Sequence, residues 1–283
     1  MTNTEPRAVL ISGCSTGIGR CVAHGLRRRG YRVFASARRQ ADVENLSAAG
    51  FESLPLDLDS SDSIRTAVAT VLERTGSRLY ALVNNGAYGQ PGAVEDLSRE
   101  VLRAQFETNL FGTQELTNLV IPAMRAQEEG RIINISSILG IVCFAYRGAY
   151  NATKFALEAL SDTMRLELRG TNIYVSLIEP GPIESRFRAN AYEAFKRHID
   201  REHSAHREYY ARVEKRLEGT KPMPFTLPPE AVLKKVICAL EARRPKARYG
   251  VTFPTHLFLV LRRVLPTRVL DAILKAISIG GQR

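Results

Sequence analysis

Hydrophobic positions along this chain follow two alternating patterns. Short apolar runs bounded by turn residues predict strands, and longer segments with apolar residues every three or four positions predict helices between them. The predicted strands cover residues 7–12, 31–36, 51–56, 80–83, 131–136, 173–179 and 247–251. Because strands and helices alternate, the pattern predicts an α/β protein with a seven-stranded parallel sheet and helices on both faces.

The helical patterns are long enough to cross such a sheet. The clearest ones cover residues 20–29, 61–75, 99–127 and 149–169. Gly30 lies where a glycine commonly ends a helix. At 283 residues we expect a single domain, 1–283, with a Rossmann-type, doubly wound order of strands. Ligands of such sheets bind beyond the carboxyl ends of the strands, so functional residues are expected in the loops that follow them.

Two segments depart from the alternation of strands and helices. Residues 186–219 are rich in arginine, glutamate, histidine and tyrosine and predict one or two polar helices. Residues 186–228 are therefore expected to form a substrate lid, with a solvated insertion as the alternative. Residues 252–283 form a basic amphipathic segment, and from position 243 onward nine Lys or Arg residues accompany one acid, Asp271. Such a segment can cap the pocket, contact a second subunit or make weak contact with a membrane surface.

The composition is that of a soluble globular protein. Hydrophobic residues make up 45% and charged residues 24%, and the net charge is +11. The basic residues lie in short clusters without interleaved aromatic residues, so nucleic acid is not an expected partner. The four cysteines form no Cys-x-x-Cys pair, no apolar signal segment is evident, and no apolar run approaches the length of a membrane span. We therefore expect a cytoplasmic protein.

A glycine-rich turn follows the first predicted strand and has the spacing G-x-x-x-G-x-G. Glycine allows a tight turn and a close approach of the backbone to a pyrophosphate, which then meets the amide groups at the start of a helix. The predicted contact residues are Gly13, Ser15, Thr16, Gly17, Ile18 and Gly19. The alternative is a strand-to-helix turn that binds nothing.

The residues after the second strand indicate which dinucleotide is bound. Folds that prefer NAD carry an acidic residue there for the ribose 2′-hydroxyl, whereas arginine suits a 2′-phosphate. This chain has Arg38 and Arg39 and no carboxylate at that point, which predicts NADP(H). Asp57, after the third strand, is placed to accept a hydrogen bond from the adenine amine, with Leu58 beside it.

A Tyr-x-x-x-Lys pair supplies the candidate chemistry. Tyr150 and Lys154 lie one helical turn apart, about 6 Å along one face. Because a neighbouring cation favours the phenolate, we expect Lys154 to lower the pKa of Tyr150 and make it a general acid. The chain contains a second such pair, Tyr192 and Lys196, but only the first has a suitably placed upstream serine, Ser137.

Together these residues resemble the short-chain dehydrogenase/reductase family over nearly the whole chain. The matching positions, in family order, are the turn from Gly13 to Gly19, Asn84-Asn85-Gly86-Ala87, Asn109, Ser137, Tyr150, Lys154 and Pro180-Gly181-Pro182-Ile183. Residues 175–183 and 265–269 are similar to the 17β-hydroxysteroid-dehydrogenase-like branch, and within it to bacterial NADP-dependent aldehyde reductases.

The resemblance implies roles for the matching residues. It makes Tyr150 the proton donor in reduction and Lys154 the residue that holds the nicotinamide ribose. Ser137 would polarise the substrate carbonyl, and Asn109 would hold a water that links Lys154 to solvent. The further implied cofactor contacts, besides Tyr150 and Lys154, are Asn85, Gly86, Pro180, Gly181, Ile183 and Ser185. Family members usually pair through the two long helices, so a homodimer or homotetramer is expected.

Two positions depart from the family pattern. The family usually has Asn-Asn-Ala-Gly where this chain has Asn85-Gly86-Ala87, so we expect a reshaped loop beside the adenosine ribose. After Pro180-Gly181 the family commonly has a threonine that contacts the nicotinamide carboxamide, and here Ser185 is the candidate. Both changes keep the needed atom types, so they are expected to alter cofactor affinity rather than the reaction.

The sequence therefore predicts an NADP(H)-dependent oxidoreductase that interconverts an aldehyde or ketone and its alcohol. Aromatic residues suggest an apolar pocket for a medium-chain or aromatic aldehyde, a ketone or a steroid-like alcohol; they are Tyr88, Phe144, Tyr146 and Phe187. The alternatives are a cofactor-binding sensor or scaffold without turnover, and a methyltransferase. No metal is predicted, because the three clustered histidines lack a zinc-site spacing; they are His198, His203 and His206.

Overall fold

The computed structural model describes residues 5–218 and 223–280, and within them seven strands form one parallel sheet. The strands are β1 (Ala8–Ile11), β2 (Arg32–Ala37), β3 (Glu52–Pro55), β4 (Ala81–Asn84), β5 (Gly130–Ile135), β6 (Ile173–Glu179) and β7 (Arg248–Gly250). Their order across the sheet is β3-β2-β1-β4-β5-β6-β7. The predicted fold class is confirmed, and each predicted strand boundary lies within one residue of the observed one.

The central strands β1, β4 and β5 are buried along their whole length, as expected for a parallel sheet covered on both faces, whereas the edge strand β3 is partly exposed. All four residues of β1 are buried, and Val9 pairs with Val33 on one side and with Ala81 on the other. Chain order reverses at β1, because β2 and β3 lie on one side of it and β4 to β7 on the other. The crevice beyond the carboxyl ends of β1 and β4 is therefore the point where such sheets bind ligands.

The helices cover both faces of this sheet. In the described part of the chain they are α1 (Gly17–Arg28), α2 (Gln40–Ala48), α3 (Ser61–Arg74), α4 (Arg99–Phe106), α5 (Gly112–Ala126), α6 (Gly148–Glu167), α7 (Phe187–His198), α8 (Arg207–Glu218), α9 (Glu230–Glu241), α10 (Phe253–Val264) and α11 (Thr267–Gly280). Gly30 follows α1 with φ +85°, as a helix-ending glycine does.

Two hydrophobic cores lie on opposite faces of the sheet. Helices α1, α2 and α9 contribute to one core, in which Leu26 and Val236 are fully buried. Helices α3, α5 and α6 contribute to the other, which includes Leu116 and Met164. Burial of each such side chain contributes about 1.5–3 kcal/mol relative to exposure. The sheet edge that carries the candidate residues is therefore stabilised by a hydrophobic core on each face of the sheet.

The predicted helix over 99–127 is divided in the structure. Helix α4 ends at Phe106, residues Glu107–Phe111 form one π-helical segment, and α5 begins at Gly112. A Cβ atom at Gly112 would overlap the backbone of Leu58, so only glycine permits this close approach. Such π-helical segments are frequent at functional sites, and this one carries Asn109.

Two helical pairs lie outside the main cores. Helices α7 and α8 form a separate core with the loop after β4, in which Phe195 and Tyr210 pack against Ala93. Helices α10 and α11 pack on the turn after β5, where Phe258 and Leu274 are buried. These are the segments predicted as lid and C-terminal element; residues 1–4 of the predicted domain, 219–222 of the lid and 281–283 of the C-terminal segment lie outside the described residues.

Candidate active site

The glycine turn between β1 and α1 has the geometry that its sequence predicts. Gly13 and Gly17 have φ angles of +71° and +56°, which side chains other than glycine rarely adopt. A Cβ atom at Gly19 would overlap the Gly13 carbonyl oxygen and lie 2.9 Å from the carbonyl carbon. Helix α1 therefore begins directly against the turn, with Thr16 before its first residue and no acidic side chain in its first turn. This end of the helix suits a pyrophosphate.

The loop after β4 is bonded to the glycine turn. The Ser12 hydroxyl accepts hydrogen bonds from the backbone amides of Asn85 and Gly86, at 3.0 and 2.9 Å. The Asn85 side chain donates to the carbonyl oxygens of Ser12 and Gly13, at 3.1 and 3.0 Å. The Asn-Gly-Ala variant of the family motif therefore still ties this loop to the turn through Asn85.

The two arginines after β2 are exposed, but their surroundings differ. Arg39 donates to the Asp42 carboxylate at 2.8 Å, and among the described residues no such ion pair forms at Arg38. Asp57 accepts a hydrogen bond from the backbone amide of Asp59 at 3.1 Å, and Leu58 beside it is buried. Of the two guanidinium groups, that of Arg38 is therefore the one left available for a phosphate.

The loop after β6 approaches the same edge from the other side. The Pro180 carbonyl accepts a hydrogen bond from the amide of Ile138 at 2.7 Å, which links the loop to the turn that contains Ser137. Ser185 lies across from the glycine turn, because a Cβ atom at Gly17 would be 3.1 Å from the Cβ of Ser185. Ile183 pairs with Leu227 in an isolated bridge. Gly181 lies close to Thr252, because a Cβ atom added at Gly181 would overlap the Thr252 hydroxyl oxygen.

Tyr150 lies in the first turn of α6, beside Ser137. Both side chains are buried, with 7% of Tyr150 and 9% of Ser137 exposed. The Ser137 hydroxyl also accepts from the Leu139 amide at 3.1 Å, which fixes its direction. The ring of Phe187 covers the tyrosine, with the two ring centres 5.3 Å apart. Two hydroxyl groups therefore lie side by side beneath an aromatic cover.

The expected lowering of the Tyr150 pKa is wrong. Burial raises the pKa of Tyr150 above its ordinary value, and the hydrogen bond from Ser137 offsets only part of this effect. The Lys154 ammonium donates to the carbonyl oxygen of Ile135 at 2.7 Å, and its nitrogen lies 5.6 Å from the centre of the tyrosine ring. The phenol therefore stays protonated at neutral pH, which is the state that a proton donor requires.

Lys154 is buried in the same helix, one turn after the tyrosine. Burial lowers the pKa of Lys154 to about 8, and the carboxylate of Glu158 one turn further on opposes this effect. Burial raises the pKa of Glu158 itself to about 7. Lysine and glutamate therefore share a low-dielectric region behind the tyrosine.

Sequence reasoning missed a buried charge network behind this pair. Arg248 on β7 donates to Glu158 and Glu179 at one guanidinium nitrogen and to Asp162 at the other, with 2.9 Å to Glu179 and 2.5 Å to Asp162. Glu179 is fully buried and Glu158 nearly so. Extension of the Tyr-x-x-x-Lys spacing by one more turn would have found Glu158, but nothing local connects it with Arg248.

The side chain of Asn109 is occupied by protein groups. Its Oδ1 accepts from the backbone amide of Tyr88 at 3.1 Å, and its Nδ2 donates to the Tyr88 carbonyl at 2.9 Å and to the Thr153 hydroxyl at 3.3 Å. The amide therefore holds the loop after β4 against the helix that carries Tyr150. Its predicted role as a water holder is not tested by these contacts and stays a prediction.

Comparison with known proteins agrees with this arrangement. The family model for short chain dehydrogenases matches residues 7–195. An uncharacterized oxidoreductase of Escherichia coli K12, YbbO, is 42% identical over 276 residues, which cover 95% of this chain and 94% of the relative. The chain belongs to the short-chain dehydrogenase family. The predicted oxidoreductase class is thereby confirmed.

Two further relatives carry information about the cofactor. The NADPH-dependent 3-dehydrocapnine reductase of Ornithobacterium rhinotracheale is 31% identical over 275 residues, which cover 94% of this chain and 95% of that protein. The crystal structure of a variant of actinorhodin polyketide ketoreductase with NADPH is 28% identical and has a TM-score of 0.72, covering 89% of this chain and 97% of that one. Family membership confirms the predicted nicotinamide cofactor, and both relatives agree with the choice of NADP(H).

Not every residue singled out in the sequence lies with this family site. Lys196 of the second Tyr-x-x-x-Lys pair binds Glu193 at 2.8 Å on α7. The three clustered histidines contact different partners. His198 bonds to Gln90, His203 to Asp200, and His206 to both Tyr146 and Glu95.

The aromatic residues predicted to line a pocket separate into two groups. Phe187 covers Tyr150, and the backbone of Tyr88 is held by Asn109 nearby. Tyr146 instead stacks on Tyr209 of α8 at 3.6 Å. Phe144 packs against Phe258 of α10, with 6.2 Å between ring centres. The last two therefore anchor the flanking helices to the loop before α6.

Proposed function

We propose that the protein is an NADPH-dependent reductase of apolar aldehydes or ketones, able to run in the alcohol-oxidising direction, from the 17β-hydroxysteroid-dehydrogenase-like branch of its family. Its likeness to bacterial NADP-dependent aldehyde reductases over residues 175–183 and 265–269 supports this choice. The phenol of Tyr150 is its proton donor. A sensor or scaffold would have no need of a buried pair of hydroxyls beside a lysine.

The residues present fit a phosphorylated dinucleotide. The positive φ angles of Gly13 and Gly17 open a cradle at the start of α1, where a side chain would stand in the way of a pyrophosphate. Arg38 would hold the 2′-phosphate, supported by Arg39, and Asp57 would accept from the adenine amine. The remaining contacts would come from Ser15, Thr16, Ile18, Gly19, Leu58, Asn85, Gly86, Pro180, Gly181, Ile183 and Ser185.

The chain's own residues carry the proton chemistry. When bound, NADPH supplies the hydride to the carbonyl carbon, and Tyr150 gives its proton to the carbonyl oxygen. Ser137, beside the same phenol, donates its hydroxyl proton to that oxygen and favours the negative charge that develops on it. The raised pKa of Tyr150 keeps the proton on the phenol until the oxygen becomes basic.

Lys154 and Asn109 position this pair. The Lys154 ammonium would hold the nicotinamide ribose and favour the phenolate that remains after proton transfer. Asn109 fixes the loop of Tyr88 against α6, so that Tyr150 keeps its position relative to the bound cofactor. A water held near Asn109 would return a proton to the site through Lys154.

The lid and the oligomer complete the proposal. Residues 186–228 act as the substrate lid of a single domain, 1–283, and the contact of Phe187 with Tyr150 supports an apolar substrate beneath it. The protein acts in the cytoplasm as a homodimer or homotetramer. Exposed apolar side chains on the long helices support pairing there, with Phe111 52% and Leu166 62% exposed.

The burial of Ser137 and Tyr150 beside each other at the sheet edge that carries the glycine turn, with Phe187 over the phenol ring, is the observation that carries this proposal. The test is NADPH consumption by the purified protein with medium-chain aldehydes, aromatic aldehydes and steroid-like ketones, with NADH in parallel. We expect turnover with at least one apolar carbonyl compound and a preference for NADPH. Tight NADPH binding without turnover in either direction would instead identify a sensor.

A further inference from the structure

Helix α10 has two apolar faces, of which only one is covered by the described residues. Its inner face packs on the turn after β5, where Phe258 contacts a cluster with Ile138 and Leu274. Arg262 on the same side donates to the Ile141 carbonyl at 2.6 Å. The inner face therefore packs on the turn that follows Ser137, and the opposite face is left to solvent.

The opposite face carries a continuous row of apolar side chains, which we call the outer stripe. It consists of Phe253, Leu257, Val260 and Val264, spaced at helical intervals of three and four. Between 40% and 65% of each side chain is exposed. Isolated exposed apolar residues need no explanation, but a stripe along a whole helix indicates a binding surface.

Neighbouring elements extend the outer stripe. The exposed ring of Phe225, at the end of the lid, lies 5.6 Å from the ring of Phe253. On α11, Val269 is 47% exposed, and Ala272 and Ala276 are exposed on the same side at helical spacing. Exposed apolar side chains therefore lie on both C-terminal helices and on the adjoining loop.

Cations surround this surface. Arg263, Arg268 and Lys275 are exposed on the two helices, and within the described residues none of them forms an ion pair. Asp271 is the only acidic side chain of the two helices over their described residues. An apolar stripe bordered by such cations is complementary to a layer of acyl chains beneath anionic headgroups.

We propose that the outer stripe docks on an anionic membrane surface, with α10 and α11 lying in the plane of the headgroups. A second copy of the chain is the less suitable occupant, because the same cations would face each other across a two-fold contact. No helix among the described residues has the length and apolar character needed to cross a bilayer, so the contact would be peripheral.

Docking would also bring the turn that follows Ser137 close to the layer in which apolar carbonyl compounds dissolve. This consequence rests on the proposed function, whereas the docking itself does not. The experiment therefore measures binding without substrate, so that its failure and a failure of turnover are seen separately.

The test is co-sedimentation of the purified full chain with vesicles of phosphatidylcholine alone or mixed equally with phosphatidylglycerol. We expect binding to the anionic vesicles at low salt. Binding to the neutral vesicles should be weaker by about tenfold or more. Raising the salt to about 0.5 M should release the protein, because headgroup charge is then screened. Absence of binding to anionic vesicles at low salt would overturn the proposal.

Matched variants distinguish binding through the outer stripe from nonspecific binding of the protein to vesicles. Val264→Glu should weaken vesicle binding about tenfold or more, and Arg263→Glu with Arg268→Glu should remove the preference for anionic lipid. Val94→Glu, at a similarly exposed apolar position in the loop after β4, should bind as the unaltered protein does. Circular dichroism of each variant checks its folding. If Val264→Glu binds vesicles normally, or if it only dissociates an oligomer, the stripe is not a lipid-binding surface.

Discussion

Asn109 offers a test of how the site is held together, because its side chain makes three hydrogen bonds to two neighbouring segments. Two of them satisfy the backbone N–H and C=O of Tyr88, and the third reaches Thr153 on α6. Asn109 is 1% exposed, so its removal leaves buried groups that water cannot easily reach. The perturbation is Asn109→Ala.

The magnitude follows from the backbone N–H of Tyr88, which loses its partner, because the Tyr88 carbonyl keeps a hydrogen bond from Gln105 at 2.9 Å. An unsatisfied buried group costs about 1–3 kcal/mol, so the free energy of unfolding should fall by about 1–3 kcal/mol. Denaturant unfolding monitored by circular dichroism measures this loss. If the loop opens locally instead, part of the loss appears as faster hydrogen exchange at the Tyr88 amide.

Asn118→Ala is the matched control. Asn118 lies on α5 and is exposed, and its side chain accepts from Gln114 at 2.7 Å. Its removal should change the free energy of unfolding by less than about 0.5 kcal/mol. If Asn109→Ala were as stable as this control and left exchange at Tyr88 unchanged, the positioning role of Asn109 would be refuted.

Two further predictions concern charge. Arg38→Ala should weaken NADPH binding about 10- to 100-fold and leave NADH binding unchanged. Arg39→Ala should weaken NADPH binding less, because Arg39 already pairs with Asp42. Fluorescence titration measures the Kd of each variant, and a larger effect at Arg39 would make Arg39 the ligand of the 2′-phosphate. The rate of carbonyl reduction should fall as pH rises through about 8, where Lys154 loses its charge, and Glu158→Gln should move that fall to lower pH. An unmoved pH–rate profile would show that Glu158 does not act on Lys154.

Much of the fold was predictable because its signals are local. Continuous apolar runs marked each buried parallel strand, and glycine marked the turn where Gly17 takes a positive φ. The positions of Ser137 and Tyr150 followed from strand ends and helical spacing, which bring them to one edge of the sheet.

Features that depend on contacts between distant segments were not predictable. The π-helical segment at Glu107–Phe111 has no local signature, since the apolar pattern continues through it. The rise in the Tyr150 pKa depends on burial of the phenol, over which Phe187 packs, whereas the sequence showed only the lysine one turn away. Arg248 meets Glu158 across ninety positions of the chain, and no spacing rule connects them.

The central claim is that the phenol of Tyr150 donates the proton in NADPH-dependent carbonyl reduction. Tyr150→Phe keeps the ring that packs against Phe187 and removes only the hydroxyl, and Tyr192→Phe removes a hydroxyl from the second Tyr-x-x-x-Lys pair as a control. The measurement is kcat for an accepted carbonyl substrate, together with the Kd for NADPH. The account predicts that Tyr150→Phe lowers kcat about 10²- to 10⁴-fold with an unchanged Kd, while Tyr192→Phe changes neither. A Tyr150→Phe enzyme that keeps the kcat of the unaltered protein would contradict it.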